Sequence, residues 1–122
     1  MIRYSAHFTD KDFPRGKPSQ VLIDRLELAR AYYGKPIMIS SGGRTTAQNR
    51  SVDGAKDSEH IIDPVTGEFE GCDIKCADSH ARFELLPILF RYFHRVGIYD
   101  KHLHVGMSKT LPQDVCWIGV SK

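Results

Sequence analysis

Histidines and a carboxylate, widely separated along the chain, have the types and spacings that metal chemistry needs. In "DSEHIIDPVTGEFEGCDIK" (residues 57–75), His60 and Asp73 stand on either side of a Pro/Gly turn signal. The flanking stretches read as two strand-like arms of a hairpin, each carrying one of the two residues. Much later, "HLH" places His102 and His104 two apart. On a strand that spacing sends both rings to one face, with Leu103 on the other. A hydrolytic zinc site takes three imidazole or carboxylate donors and keeps its fourth position open. Two neutral imidazoles and one carboxylate leave such a site with a net charge of about +1, which polarises a carbonyl and acidifies water. The chain holds six histidines. His7, His80 and His94 fall among ordinary polar residues or within a helix pattern, and read as surface or cap histidines.

The elements that must position these groups are legible in outline. "KPSQVLIDRLELARAYYGKP" predicts a helix opened by Pro18 and Ser19 and closed by Gly34 and Pro36. Leu22, Leu26, Ala29 and Tyr33 form its apolar face. "PIMISS" predicts a short strand, and "GGRTTAQNRSVDGAKDS" a functional loop with one helical turn. "DSHARFELLPILFRYFHRVG" predicts a second helix with Phe83, Leu86, Phe90 and Phe93 on one face and Gly97 as its stop. Pro87 should kink that helix or mark a restart. "VGIYD", "HLHVGMS" and "DVCWIGV" read as strands. The expected fold is α+β: a small, mainly antiparallel sheet with two main helices packed on it.

Composition narrows the function classes. A chain of 122 residues is expected to form a single domain over residues 1–122. Its 41% hydrophobic and 26% charged content argues against disorder. A net charge of +2 with scattered Lys and Arg argues against a nucleic-acid partner. No apolar run approaches the ~18 residues of a membrane span. "MIRYSAHFTDKDF" lacks the charged-then-apolar pattern of a secretory signal, so synthesis in a cytoplasm is expected. Cys72, Cys76 and Cys116 are odd in number and form no CxxC pair; they read as small buried apolar residues without chemistry.

Taken together, "SGGRTTAQNRSVDGAKDSEH…GCDI" and "VGIYDKHLHVG" resemble the zinc D-Ala-D-Ala carboxypeptidase family in its short bacterial and phage form. That family shares its fold and metal site with lysostaphin-type endopeptidases and the hedgehog signalling domain. The resemblance runs from about Phe8 to Ser108. It implies zinc as cofactor, with His60, Asp73 and His104 as ligands. Ser58 would hydrogen-bond the substrate's carboxylate end or backbone. Arg44 would stabilise the oxyanion or hold a substrate carboxylate, a role suited to an always-charged planar donor. His102 matches the first histidine of the HxH motif in the lysostaphin and hedgehog branches. Asp100 falls near the acid that is the general base in the carboxypeptidase branch.

The chain departs from the family pattern in two respects. Twelve residues (61–72) separate His60 from Asp73, a longer spacing than usual, and "DPVTGE" reads as a turn insertion. Asp63 is the rival ligand within that turn, whereas Gly71 fits the small residue usual two before the ligand acid. Relatives often carry Asp two after the second ligand histidine; here it is Gly106, so a partner that orients the ligand is expected to be missing. The resemblance implies a zinc peptidase, carboxypeptidase or endopeptidase, cutting near D-amino acids in bacterial peptidoglycan. It would act as a monomer, without a nucleic-acid or membrane partner; the lack of a signal pattern suits a phage lysis or virion protein that reaches the wall, or a cytoplasmic recycling enzyme. The alternative is a non-catalytic, zinc-stabilised binding module of the same fold. A metal nuclease is a weaker reading, disfavoured by the near-neutral charge.

Overall fold

The computed structural model describes residues 1–52, 54–55 and 58–120. Its centre is a five-stranded sheet of β2 (Ile39–Ser41), β4 (Gly71–Lys75), β6 (His102–Gly106), β5 (Arg95–Ile98) and β7 (Val115–Ile118), in that spatial order. Every neighbouring pair is antiparallel except β5 and β7, which run parallel. Two short strands, β1 (Lys17–Pro18) and β3 (Glu68–Phe69), pair in parallel outside this sheet. The α+β expectation with a mainly antiparallel sheet therefore holds. No helix among the described residues is long and apolar enough to cross a membrane.

The first helix, α1 (Gln20–Tyr33), begins and ends where its capping residues say it must. The Ser19 hydroxyl accepts the Leu22 N–H, satisfying one orphan donor of the first turn. Gly34 takes the left-handed conformation at φ 74° and returns its N–H to the Arg30 carbonyl. Leu22, Ile23, Leu26 and Ala29 are buried on its inner face. The short α2 (Thr46–Ser51) is the helical turn expected in the polar loop, closed by a capping box between Thr45 and Gln48. Asp53, Lys56 and Asp57 of that loop lie outside the described residues.

The second main helix, α3 (Ser79–Tyr92), is capped by Asp78, whose carboxylate accepts the Ala81 N–H at 2.8 Å. Two expectations about it are corrected, and of the kink or restart expected at Pro87 the restart is excluded. It is one helix that contains Pro87 and does not restart there. Its buried residues are Leu85, Ile88 and Leu89; of the expected face, Phe93 at the C-cap is buried and Leu86 packs against the core, while Phe83 is 80% and Phe90 50% exposed. Apolar residues occur around most of this helix, so periodicity alone offers two stripes; packing against α1 and the sheet selects the one through Leu85 and Leu89. Gly97 does not stop the helix, which ends at Tyr92. It belongs to β5, opposite Trp117, whose indole would lie 2.7 Å from a Cβ at that position.

One apolar cluster joins these helix faces to Cys72, Ile74, Val96, Leu103 and Val105 of the strands, together with Phe8, Phe13 and Phe69. Strand alternation then sends Gly71, Asp73, His102, His104 and Gly106 to the opposite sheet face. Cys72 and Cys76 are buried as expected, and burial pushes both thiols up. Cys116 departs from that expectation and is exposed on β7. If the buried face of α3 is as described, Leu89→Ala should cost about 2–5 kcal/mol of stability. Phe83→Ala should change it by no more than about 0.5 kcal/mol. Urea unfolding midpoints of the two variants check this, and an equal cost for both would reject the assignment.

Candidate metal centre

The register of β4 against β6 sets Asp73 directly opposite His104 and Lys75 opposite His102. Both Asp73 and His104 are buried. A register irregularity between Ile39 and Ser41 on β2 falls beside Asp73, at the edge of the same ladder.

His60 arrives from outside the sheet, which corrects the expectation that it sits on a hairpin strand. It lies in a turn, and its carbonyl accepts the Arg44 N–H at 2.7 Å. Arg44 and Ile61 then form an isolated parallel bridge. The chain folds back beyond His60 through Asp63 N–H to the Glu68 carbonyl and Glu70 N–H to the Glu59 carbonyl. The long insertion is thus accommodated as a turn. Asp63 is exposed there, its carboxylate accepting the Val65 N–H, so Asp73 is the acid that stands among the histidines.

The donor atoms form a near-equilateral triangle. His60 Nε2 and His104 Nδ1 each lie 3.1 Å from Asp73 Oδ1 and 3.2 Å from one another. Each ring's other nitrogen faces a group that can only accept. His60 Nδ1 donates to the Gly42 carbonyl at 2.7 Å, and His104 Nε2 donates to Glu59 Oε1 at 2.9 Å. With the proton of each neutral ring committed outward, two nitrogen lone pairs and a carboxylate oxygen face each other across the centre. Such a set repels itself in a buried place unless a cation lies between its members. Donors around a tetrahedral zinc stand roughly 3.3 Å apart for bond lengths of about 2.0–2.1 Å. Spacing, donor chemistry and outward partners all fit zinc.

The electrostatics agree. Burial alone would raise the Asp73 pKa, but the His104 and His60 rings against it outweigh that and hold the carboxyl well below the usual range. Burial would lower that of His104, yet Asp73 and Glu59 together leave it raised, a more basic ring.

Other expected site residues surround the triangle to different degrees. Arg44 Nη2 lies 3.8 Å from Asp73 Oδ2 and donates to Ser41 Oγ, while Nη1 donates to Asn49 Oδ1. Asn49 is buried in α2 and also donates to the Ala55 carbonyl, so the helical turn clamps the guanidinium. His102 Nε2 lies 3.6 Å from the same Asp73 oxygen, and its ring stacks on Tyr99 at 4.4 Å. Tyr99 is held in turn by Trp117, whose indole N–H donates to its hydroxyl. Burial, with His104 and His60 nearby, lowers the His102 pKa against the opposing pull of Asp73. Asp100 is exposed in the bend before β6, close enough for its charge to act on His102. Ser58 Oγ accepts the His60 N–H at 3.2 Å, and the residue lines a cavity of about 480 Å³ with Glu59 and Ser108. His7, His80 and His94 are exposed and pair with Glu27, Glu84 and Asp114.

Sequence pattern alone singles out neither Asn49 nor Glu59. Glu59 adjoins His60, but nothing in its spacing shows that it reaches His104 rather than solvent. The only available signal was the small residues Gly71 and Gly106, whose pairing across β4 and β6 opens the space it fills.

A sheet face carrying Asp73 and His104, completed by His60 from a turn, forms a buried group of three donors that could hold a metal ion. A family model described as Peptidase M15 matches residues 5–107, and the chain belongs to this family of zinc-dependent peptidases. No curated protein matches the chain. His60, Asp73 and His104 are the residues that can hold the ion. The purified protein should therefore carry one zinc per chain, and His104→Ala should lose it on dialysis, because three protein donors are needed. Elemental analysis reads the result; full occupancy in that variant would exclude His104 as a ligand.

Proposed function

We propose that this peptidase hydrolyses peptide bonds next to D-amino acids in bacterial peptidoglycan. His60, Asp73 and His104 bind the zinc, and Arg44, Ser58, His102 and Asp100 serve the substrate. One observation carries the reading most strongly: Arg44 and His102 both approach Asp73 Oδ2, the oxygen turned away from the histidine pair. A fixed positive charge and a proton-transfer group thus converge beside the metal donors, as amide hydrolysis requires.

Zinc, when bound, supplies a Lewis acid that polarises the scissile carbonyl and lowers the pKa of water. Arg44, clamped by Asn49 and Ser41, offers N–H donors to the negative charge that develops on the carbonyl oxygen, or to a terminal carboxylate. His102 Nε2 takes the proton from the attacking water and returns one to the departing amine as the C–N bond breaks. Its stacking on Tyr99 fixes the ring plane for that transfer. Asp100 acts on His102 electrostatically, favouring its protonated form. Ser58 donates its hydroxyl proton to the peptide backbone, since its contact with His60 uses only an oxygen lone pair. Lys11 and Arg15, with Asp12, line a cavity of about 290 Å³ along Ser40–Gly43, which suits an anionic peptide such as a wall stem.

Incubating zinc-loaded protein with purified muropeptides, followed by mass spectrometry, tests the substrate. Loss of a terminal D-alanine would identify a carboxypeptidase, and separation of cross-linked dimers an endopeptidase. Unchanged masses across a full muropeptide set would overturn the peptidoglycan assignment. His102→Ala and Asp100→Ala should both retain zinc, with kcat falling by about 10²–10⁴ for whichever residue transfers the proton. Near-wild-type turnover in both would reject this division of labour and favour a proton carrier elsewhere.

A further inference from the structure

We propose that Glu59 is the positioning residue of the metal centre. It holds His104 with its Nδ1 lone pair turned inward, and it reaches His104 through a slot made by Gly71 and Gly106. The proposal deepens the reading above and rests on His104 being a zinc ligand.

Glu59 is a buried acid with every contact accounted for. Oε1 accepts from His104 Nε2 at 2.9 Å and from Arg95 Nε at 3.0 Å, and Oε2 accepts the Ser108 N–H at 2.9 Å. All three partners can serve as donors and the Arg95 guanidinium is always charged, so Glu59 meets them as a carboxylate acceptor. Arg95 is itself buried, donates to the Pro112 carbonyl and lies over Trp117, so it cannot swing away. An ionised carboxylate this constrained presents one fixed acceptor to His104. That acceptor dictates which ring nitrogen carries the proton and leaves Nδ1 for the metal.

The two glycines are the other half of the device. Gly71 and Gly106 are register partners across β4 and β6. A Cβ on Gly106 would lie 2.0 Å from both Glu59 carboxylate oxygens; one on Gly71 would lie 2.6 Å from the Glu59 Cβ and 3.0 Å from His104 Cε1. Neither glycine has a positive φ, so close approach is what calls for it. Where an acid two after the ligand histidine would project, this chain leaves a void and fills it from the turn that also carries His60. The partner expected to be missing at position 106 is supplied by a different element. One two-residue step, Glu59–His60, therefore delivers both a metal donor and the group that orients a second donor.

The closing experiment measures zinc affinity of the full-length chain by chelator competition for the wild type, Glu59→Ala, Glu59→Gln, Gly106→Asp and the double variant Glu59→Ala/Gly106→Asp. The proposal expects a loss of about 10- to 100-fold in Glu59→Ala. It expects a loss in Gly106→Asp alone, where two acids compete for one space, and recovery of most of the affinity in the double variant. Long-range ¹H–¹⁵N spectra of the zinc-loaded wild type should show His104 bound through Nδ1 with Nε2 protonated. That readout would not follow from a merely structural Glu59, and it survives should Glu59→Ala fail to fold. Wild-type affinity in both Glu59 variants, a double variant no better than Glu59→Ala, or His104 bound through Nε2 would each overturn the proposal. His104→Ala is the control: zinc retained there refutes the ligand assignment itself, whereas zinc lost there with Glu59 variants unaffected refutes only the role of Glu59.

Discussion

Three buried metal-donor groups, His60, Asp73 and His104, held about 3 Å apart are the constraint around which the rest of this structure is arranged. Left alone, the lone pairs of His60 and His104 and the charge of Asp73 would drive the rings apart or take up protons. Two devices prevent the first outcome. The Gly42 carbonyl and the Glu59 carboxylate fix the imidazole protons on the outer side, and the β4–β6 ladder fixes the separation of Asp73 and His104. The arrangement is most stable with a divalent cation at its centre. The turn bearing His60 and Glu59 is held by backbone bonds to Arg44 and Glu70 and by the Arg95 and Ser108 contacts of Glu59. A cation bound in the cluster would add to that hold, coupling metal binding to stability.

The sheet achieves this by a strict division of its faces. Cys72, Ile74, Leu103 and Val105 pack with the helices and exclude water from one side. Their alternating neighbours Asp73, His102 and His104 carry the polar chemistry on the other. The apolar face supplies the rigidity that a site with tolerances of a few tenths of an ångström needs. The shell beyond the triangle is layered in the same way: Asn49 and Ser41 hold Arg44, Tyr99 and Trp117 hold His102, and Arg95 holds Glu59. Trp117 serves twice, bonding Tyr99 and lying beneath the Arg95 guanidinium, and Gly97 is a glycine because the indole covers it.

Substituting Glu59 for the acid usual at position 106 also bears on whether the centre is catalytic. A ligand histidine left without an orienting partner by Gly106 would weigh toward a binding module. With a carboxylate from the neighbouring turn in that space, His104 has its outer partner and that feature no longer distinguishes the two readings.

What the sequence determined by itself was whatever depends on neighbours along the chain. Ser19 and Gly34 bounded α1 because caps act on backbone groups within one turn. The period of two in HLH put His102 and His104 on one face because that alternation is a property of any strand. The resemblance of the SEH, GCD and HLH segments to a peptidase family supplied His60, Asp73 and His104 as a set. Tertiary structure alone decided the questions that depend on what lies across a gap. It chose the Leu85–Leu89 stripe of α3 over Phe83 and Phe90, since two apolar faces of one helix differ only in what packs against them. It spent Gly97 on an indole and Gly106 on a carboxylate, because a missing Cβ says that something approaches without saying what. It placed His102 beside Asp73 and left Asp100 in an exposed bend, since β6 begins only at His102. And it joined Glu59 to His104 across 45 positions of sequence, a pairing no local pattern encodes, because only the folded sheet brings the two into hydrogen-bond range.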